Sequence, residues 1–481
     1  MPQATSPLRQ PLAQHGQEHV LRFYDQLPPE GRKKLESQLN SLDLGLMDRL
    51  ADEYVRRKPE IHLPRDIQPP KVYPRVPKTP EQKKLYDDAR RRGEELLRAG
   101  KVGAFLVAGG QGTRLGYDGP KGEYPVTPVK SKPLFQVFAE QLLAHSRDHG
   151  RPIPWYVMTS EVNDAPTRRF FADNAYFGYN PKDVMFFQQG MLPAFATDGR
   201  LLLGEKDSLA LSPDGHGGSL RALDRGGALQ DMRNRGVEHL SYFQVDNPLV
   251  HTIDPLFLGL HDLTGSEMSS KMVPKAGPLE KVGNFGIGDG ALQVIEYSDL
   301  PEQIARQTNP DGSLRFNAGS IAIHALRRSF VERLNSGGEL KLPWHRADKK
   351  VPYVDPQTGQ TVKPDKPNAV KLEQFVFDAI PLAKNAIVLE TDRAEEFSPV
   401  KNAEGADSPA TSRRDQVRRA ARWLAGAGVQ VPTEGGEPDA VLEISPLYAT
   451  WAEQLKERQP GMKVTPGAVV YIGANGVEGE P

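Results

Sequence analysis

The chain has 481 residues, 38% hydrophobic and 26% charged, which suits a globular protein of more than one domain. Its 61 Lys and Arg against 62 Asp and Glu leave a formal net charge of -1, so there is no electrostatic footprint for a nucleic-acid duplex or an anionic membrane, and any anion must be held locally. The absence of cysteine excludes disulfides, Cys-ligated zinc and thiol catalysis.

The opening MPQATSPLRQPLAQHGQEHV lacks the apolar core of a signal peptide, and no apolar run approaches a membrane span, so a cytoplasmic protein is expected. Leu35, Leu39, Leu42, Leu46 and Leu50 recur at steps of three and four and predict one apolar stripe on a helix. Prolines at 59, 64, 69, 70, 74, 77 and 80 then remove amide donors and fix φ, which predicts an extended strap. Thr79-Pro80-Glu81-Gln82 reads as an N-cap, a proline at the first helical position and a capping-box partner, opening a helix that ends near Gly100.

From Lys101 the texture changes. Short apolar runs, GAFLVA, PWYVMTS, VMFFQQ, HLSYFQVDN and NAIVLE, are separated by segments long enough for helices. Strands alternating with helices predict an α/β protein with a mixed, mostly parallel central sheet covered on both faces. Three segments are expected: a helical region with its strap over 1–99, a main domain over 100–400, and a small β-rich domain over 401–481 that includes GAVVYIGANGV.

The stretch LVAGGQGTRLGYDGPKGEYPV, from Leu106 to Val126, is a buried strand running into a glycine-rich turn. An α/β sheet binds phosphates at that position, because glycines let successive amides form an anion nest. The P-loop pattern fails, since Lys121 is followed by Gly122 and no hydroxyl is offered to magnesium. The dinucleotide fingerprint fails as well. Gly110, Gly112 and Gly116 give GxGxxxG, and no carboxylate stands near Gln136 before Glu140. What is left is a loop with two cations, Arg114 and Lys121, suited to a polyphosphate. Asp246, at the end of HLSYFQVDNP, is either a turn-forming Asp-Asn-Pro or a carboxylate aimed at the sheet's carboxyl edge.

The loop resembles the signature of the eukaryotic-type UDP-sugar pyrophosphorylases (the UDPGP type), and within them the UDP-N-acetylglucosamine pyrophosphorylase branch. Seven further stretches are similar to that family's blocks and stand in its order: QQGMLPAF, SPDGHGGSLRAL, YFQVDNPLV, QVIEYSDLP, RFNAGSIAIH, VPYVDPQTGQTVKPDKPNAVKLEQFVFD and EFSPVKNAEG. The resemblance implies a Rossmann-like, GT-A-like nucleotidyltransferase domain. It implies the reaction of UTP with N-acetylglucosamine 1-phosphate to give UDP-N-acetylglucosamine and pyrophosphate, with Mg2+. Glucose 1-phosphate or galactose 1-phosphate as the sugar substrate is the alternative within the class, and a catalytically inactive nucleotide-sugar binding homologue is the alternative outside it. Its partners are small molecules, the sugar 1-phosphate, UTP, the UDP-sugar and pyrophosphate, with no nucleic acid or membrane, and the chain is expected to be a monomer or a weak homo-oligomer.

Carried over residue by residue, the resemblance assigns Arg114, Lys121 and Lys401 to the reacting phosphates. Val107, Ala108, Gly109, Gly110, Lys121, Gln189, Gly215 and Asp246 fall to the nucleotide, Asp246 also being the metal ligand. Gly283, Glu296, Asn317, Lys371 and His216 fall to the sugar. His216 departs from the pattern, since the family block reads Asp-Gly-Asn-Gly-Gly where this chain has PDGHGG. Imidazole donates or accepts according to its tautomer, so this position bears on which sugar fits. The attacking group in such a reaction is a phosphate oxygen, already anionic, so no general base is required and positioning plus cations carry the catalysis.

Overall fold

The structure, a computed structural model, describes residues 6–59, 64, 66–338 and 340–478. The chain packs into two units. One comprises Leu63–Gln188, Leu220–Leu340 and Ala379–Pro481, the other Met1–His62, Gln189–Ser219 and Lys341–Asp378. Among the described residues no helix is long and apolar enough to cross a membrane.

The first unit is built on a 10-stranded sheet. Its strands are β1 (Val72–Tyr73), β2 (Val102–Val107), β3 (Trp155–Thr159), β4 (Val184–Gln188), β5 (His239–Gln244), β6 (Met268–Pro274), β7 (Asn284–Gly288), β8 (Ala291–Ile295), β9 (Ala318–Arg327) and β10 (Ile387–Glu390). The order is β1-β10-β6-β9-β5-β2-β3-β4, with the β7–β8 hairpin attached to β9. β9 runs antiparallel to β5 and β6, and the other neighbours along that path are parallel. The expected mixed, mostly parallel sheet is therefore present. β2 and β3 are buried along nearly their whole length, as strands covered on both faces must be. Leu106, Phe135, Phe138, Trp155 and Phe171 share one core between the sheet and its helices.

The helices flanking this sheet include α1 (Pro80–Arg98), α2 (Leu134–His149) and α3 (Pro255–Leu263). α1 starts on the expected capping box, with Thr79 Oγ1 accepting from Gln82 N and Gln82 Oε1 accepting from Thr79 N, and it ends at Arg98. The final part of the chain holds α4 (Pro409–Gly426) and a three-stranded sheet, β11 (Ala440–Ile444), β12 (Ala468–Gly473) and β13 (Gly476–Glu478), around its own apolar cluster. The long helix adds helical content to a segment expected to be β-rich. Glu443 ties this layer to the loop after Val126, accepting from the amides of Val129 and Lys130 at 2.8 Å each.

In the second unit, helix Pro29–Asn40 and helix Leu44–Leu50 pack with short antiparallel strands around Leu35, Leu39, Leu50, Phe195, Leu201 and Leu372. The leucine stripe thus faces one core but is carried by two helices. Asp43 breaks it, turning extended and capping the second helix by accepting from Leu46 N at 2.9 Å. The first hundred residues, expected as one segment over 1–99, divide between the units. Those up to His62 belong to one, and α1 belongs to the other.

Candidate active site

β2 delivers the glycine-rich turn to the carboxyl end of the parallel strands, between β5 and β3. The turn is closed by Gly112 N donating to Gly119 O at 2.9 Å and Lys121 N donating to Gly110 O at 3.1 Å. Asn163, buried, donates from Nδ2 to Ala108 O at 2.9 Å and Gly110 O at 3.3 Å, holding the base of the turn from the side. Among the described residues the amides of Gly109, Gly110 and Gln111 donate to no backbone acceptor. Three consecutive amides with that freedom are what an anion nest needs. Gly122 must be glycine, because a Cβ there would stand 2.1 Å from Phe135 Cζ. Lys121, the residue before Gly122, donates from its ammonium to Val400 O at 3.3 Å.

Asp246 lies two residues past β5, half-buried. Its backbone oxygen accepts from Val400 N at 2.7 Å. Asn247 fastens the same arm, donating from Nδ2 to Glu396 O at 2.7 Å and accepting from Ser398 N at 3.1 Å. The arm ends at Lys401, whose ammonium is 3.8 Å from Asp407 Oδ2 and has a side chain 40% exposed, so it is loosely held and free to turn. Arg114 sits exposed on the turn Thr113–Leu115. The Lys121 ammonium senses all of them. Burial pulls its pKa below the ordinary lysine value, Asp246 opposes that, and Arg114 and Lys401 push it further down. The charges of Arg114, Asp246 and Lys401, scattered along the chain, thus all act on the Lys121 ammonium.

Gly283, Glu296 and Asn317 form a second group on the β7–β8–β9 part of the sheet. A Cβ on Gly283 would lie 3.3 Å from Glu296 Oε1, and Gly283 O accepts from Ser320 N at 2.8 Å. Asn317 immediately precedes β9, its backbone oxygen accepting from Lys275 N at 2.9 Å.

Gln189, Gly215, His216 and Lys371 belong to the other unit. Gln189 donates from Nε2 to Gly215 O at 2.7 Å, leaving its carbonyl and second N–H for a ligand. Gly215 has φ +84°, and a Cβ there would meet Gln374 O at 2.3 Å, so only glycine fits this turn. His216 stacks on Phe375 at 5.2 Å and 21°, with Phe377 at 5.7 Å. Phe375 carries His345 on it as well, at 4.2 Å. Nδ1 of His216 accepts from Val376 N at 3.1 Å, which places the hydrogen of the neutral ring on Nε2. Burial, helped by His345, lowers its pKa to about 4, so at neutral pH the ring is an uncharged donor. Lys371 is half-buried in the strand Ala369–Glu373, and burial lowers its pKa.

Asn163, Asn247, Phe375 and Phe377 are absent from the reading of the sequence. Asn163 has the pattern of a helix N-cap, Asn247 that of a turn, and FVF that of a core strand, so no local signal distinguished them. Among the described residues no group of three or more His, Asp or Glu gathers to hold a metal ion. A cation at Asp246 therefore needs oxygen ligands from phosphate and water, which is how hard divalent ions sit on nucleotides.

A glycine-rich turn at the end of a parallel strand, with Arg114, Lys121, Lys401 and Asp246 near it, is the candidate site of a nucleotidyltransferase. The family comparison agrees: the family model described as UTP--glucose-1-phosphate uridylyltransferase (UDPGP) matches residues 48–407, and the chain belongs to that family. It is 40% identical to the UDP-N-acetylhexosamine pyrophosphorylase-like protein 1 of Homo sapiens, over 93% of this chain and 94% of that one. It is 38% identical to the UDP-N-acetylglucosamine pyrophosphorylase of Saccharomyces cerevisiae, over 76% of this chain and 78% of that one. In structure it is similar to the Trypanosoma brucei uridine diphosphate N-acetylglucosamine pyrophosphorylase solved with an inhibitor. The TM-score is 0.78 at 26% identity, covering 94% of each chain.

Proposed function

We propose that this protein transfers a uridylyl group from UTP to N-acetylglucosamine 1-phosphate, releasing pyrophosphate. The observation that carries the reading is that Arg114, Asp246 and Lys401 all act on the Lys121 ammonium, while the Gly109–Gln111 amides of the same turn, which Lys121 N closes at Gly110 O, donate to no backbone acceptor among the described residues. The sugar phosphate attacks the α-phosphate in line, as an anion that needs no base. Arg114 and Lys121 take the charge that grows on the leaving pyrophosphate, and Lys401 neutralises the two phosphates as they approach. Asp246 would hold Mg2+, which screens the phosphate charges when bound. By their resemblance, Gln189 and Gly215 serve the uracil, and Gly283, Glu296, Asn317 and Lys371 the sugar phosphate. The protein acts as a monomer or a weak homo-oligomer in the cytoplasm.

His216 supports a second reading of the sugar. Its Nε2–H is a donor only, whereas a side-chain amide at that place both donates and accepts. The test is to incubate the protein with UTP, Mg2+ and, in turn, N-acetylglucosamine, glucose and galactose 1-phosphates, following pyrophosphate and UDP-sugar. Turnover highest with the N-acetylated substrate is expected. Turnover confined to the unacetylated sugars overturns the assignment of the sugar, and turnover with none overturns the function.

A further inference from the structure

The proposed reaction uses Asp246 and Lys401 and leaves unexplained a charged cluster buried behind them. Lys271, in the middle of β6, is 1% exposed. Its ammonium lies 2.7 Å from Asp254 Oδ2 and 2.6 and 2.8 Å from the two carboxylate oxygens of Glu396. Thr391 Oγ1 donates to Glu396 Oε1 at 2.6 Å, and Asp254 Oδ1 caps α3 by accepting from Phe257 N at 3.2 Å. Burying one cation and two carboxylates carries a desolvation cost of roughly several kcal/mol per ion, and an apolar trio of equal volume is commonly as stable or more so. Stability alone does not account for the cluster.

Its two carboxylates belong to the two segments that make the site. Asp254 closes the loop that opens with Asp246, and Glu396 opens the arm that ends at Lys401. Between these anchors run the hydrogen bonds already described: Asn247 Nδ2 to Glu396 O, Ser398 N to Asn247 Oδ1, Val400 N to Asp246 O, and Lys121 Nζ to Val400 O. The Ser398 hydroxyl adds a bond to Asp415 on α4 at 2.8 Å, and Ser412 Oγ donates to Ser398 O at 3.0 Å. A single lysine therefore holds one end of the loop and one end of the arm, and these two segments carry Asp246 and Lys401.

We propose that Lys271, Asp254 and Glu396 are positioning residues for the uridylyl transfer, setting the 396–401 arm against the Asp246 loop so that Lys401 and Asp246 address the same phosphates. The proposal rests on the function given above. None of the three touches substrate; they act through Lys401, and the buried ion cluster fixes one arrangement of the arm where an apolar contact would allow several.

The test uses Glu396→Gln in the full-length enzyme, a change that keeps the shape and leaves Lys271 paired one to one with Asp254. Turnover is expected to fall about 30-fold with KM for UTP and sugar phosphate within about threefold, since the loss falls on the transition state. In a Lys401→Ala background the same change is expected to lower turnover less than about twofold, the non-additivity of residues acting through one group. Equal losses in both backgrounds, or none in either, overturn the proposal. Amide hydrogen exchange provides a readout that needs no activity: protection over 397–401 is expected to drop at least about tenfold while β2 and β5 are unchanged. Unaltered protection of the arm overturns the proposal even if the wild-type enzyme turns over UTP, and an inactive wild-type enzyme sinks the function while exchange still decides the role of the cluster. The neutral triple variant Lys271→Met/Asp254→Asn/Glu396→Gln is the control for folding. It is expected to melt within a few degrees of wild type with the same loss of turnover, and wild-type turnover in it overturns the positioning role.

Discussion

Single residues decide the chemistry. Lys121 is held between a carboxylate and two other cations, so the charge it brings is balanced only when anionic phosphates arrive. Lys121→Ala and Arg114→Ala are each expected to depress turnover at least ~100-fold, because each removes a charge acting on the departing pyrophosphate. Steady-state kinetics with near-normal turnover in both would remove these residues from the mechanism. Asp246→Asn is expected to shift the Mg2+ titration of activity to higher metal concentration while the circular dichroism spectrum is unchanged. An unmoved titration curve would place the metal elsewhere. Arg114 and Lys121 stand out in the sequence because the glycine turn around them fails two common nucleotide templates and resembles a third. Asn163 and Asn247 were not, since their work is done by side-chain bonds to backbone carbonyls far away in sequence.

At the scale of elements, local chemistry predicted starts and stops better than continuity. The Thr79–Gln82 box opens α1 where expected, because both of its bonds lie within one turn. The leucine spacing predicts one helix, yet its phase runs on through Ser41–Asp43, where the first helix has already ended at Ser41 and Asp43 caps the next. Apolar spacing survives such a break when both helices face the same core, which is why periodicity alone missed it. The turn at Gly215 gives a sharper test. Gly215→Ala places a Cβ against Gln374 O at a φ of +84°, and a cost on the order of 2 kcal/mol is expected. Gly405→Ala, at φ +76° with nothing within 4 Å, is expected to cost about 1 kcal/mol. Equal melting temperatures for the two variants would show that the close approach at Gly215 is absent in solution.

At the scale of the whole molecule, the buried histidines set the response to acid. Burial lowers the pKa of His145, His216 and His239 from 6.5 to about 4, and holds those of His251 and His261 well below 6.5. The unfolded chain takes up these protons near pH 6.5, whereas the folded chain refuses them until about pH 4. Stability therefore rises with pH across that window and is lost as the pH falls through it. Glu123 and Glu396, whose pKa values are raised chiefly by burial, work in the opposite sense but are two groups against five. The denaturant midpoint is expected to be lower at pH 5 than at pH 7.5. A midpoint unchanged between the two would show that these rings are solvated.

The alternation of strands and helices that makes a mixed, mostly parallel sheet, and the family, were legible in the sequence, because each depends on residues within one short window or on several such windows in a fixed order. The tautomer of His216, the gathering of residues 114, 121, 246 and 401, and the Lys271 cluster were decided only by the tertiary structure. So was the assembly of one unit from Met1–His62, Gln189–Ser219 and Lys341–Asp378. The physical reason is common to all of these. A hydrogen bond or an ion pair acts over about 3 Å whatever the separation along the chain, so it leaves no local pattern for the sequence to display.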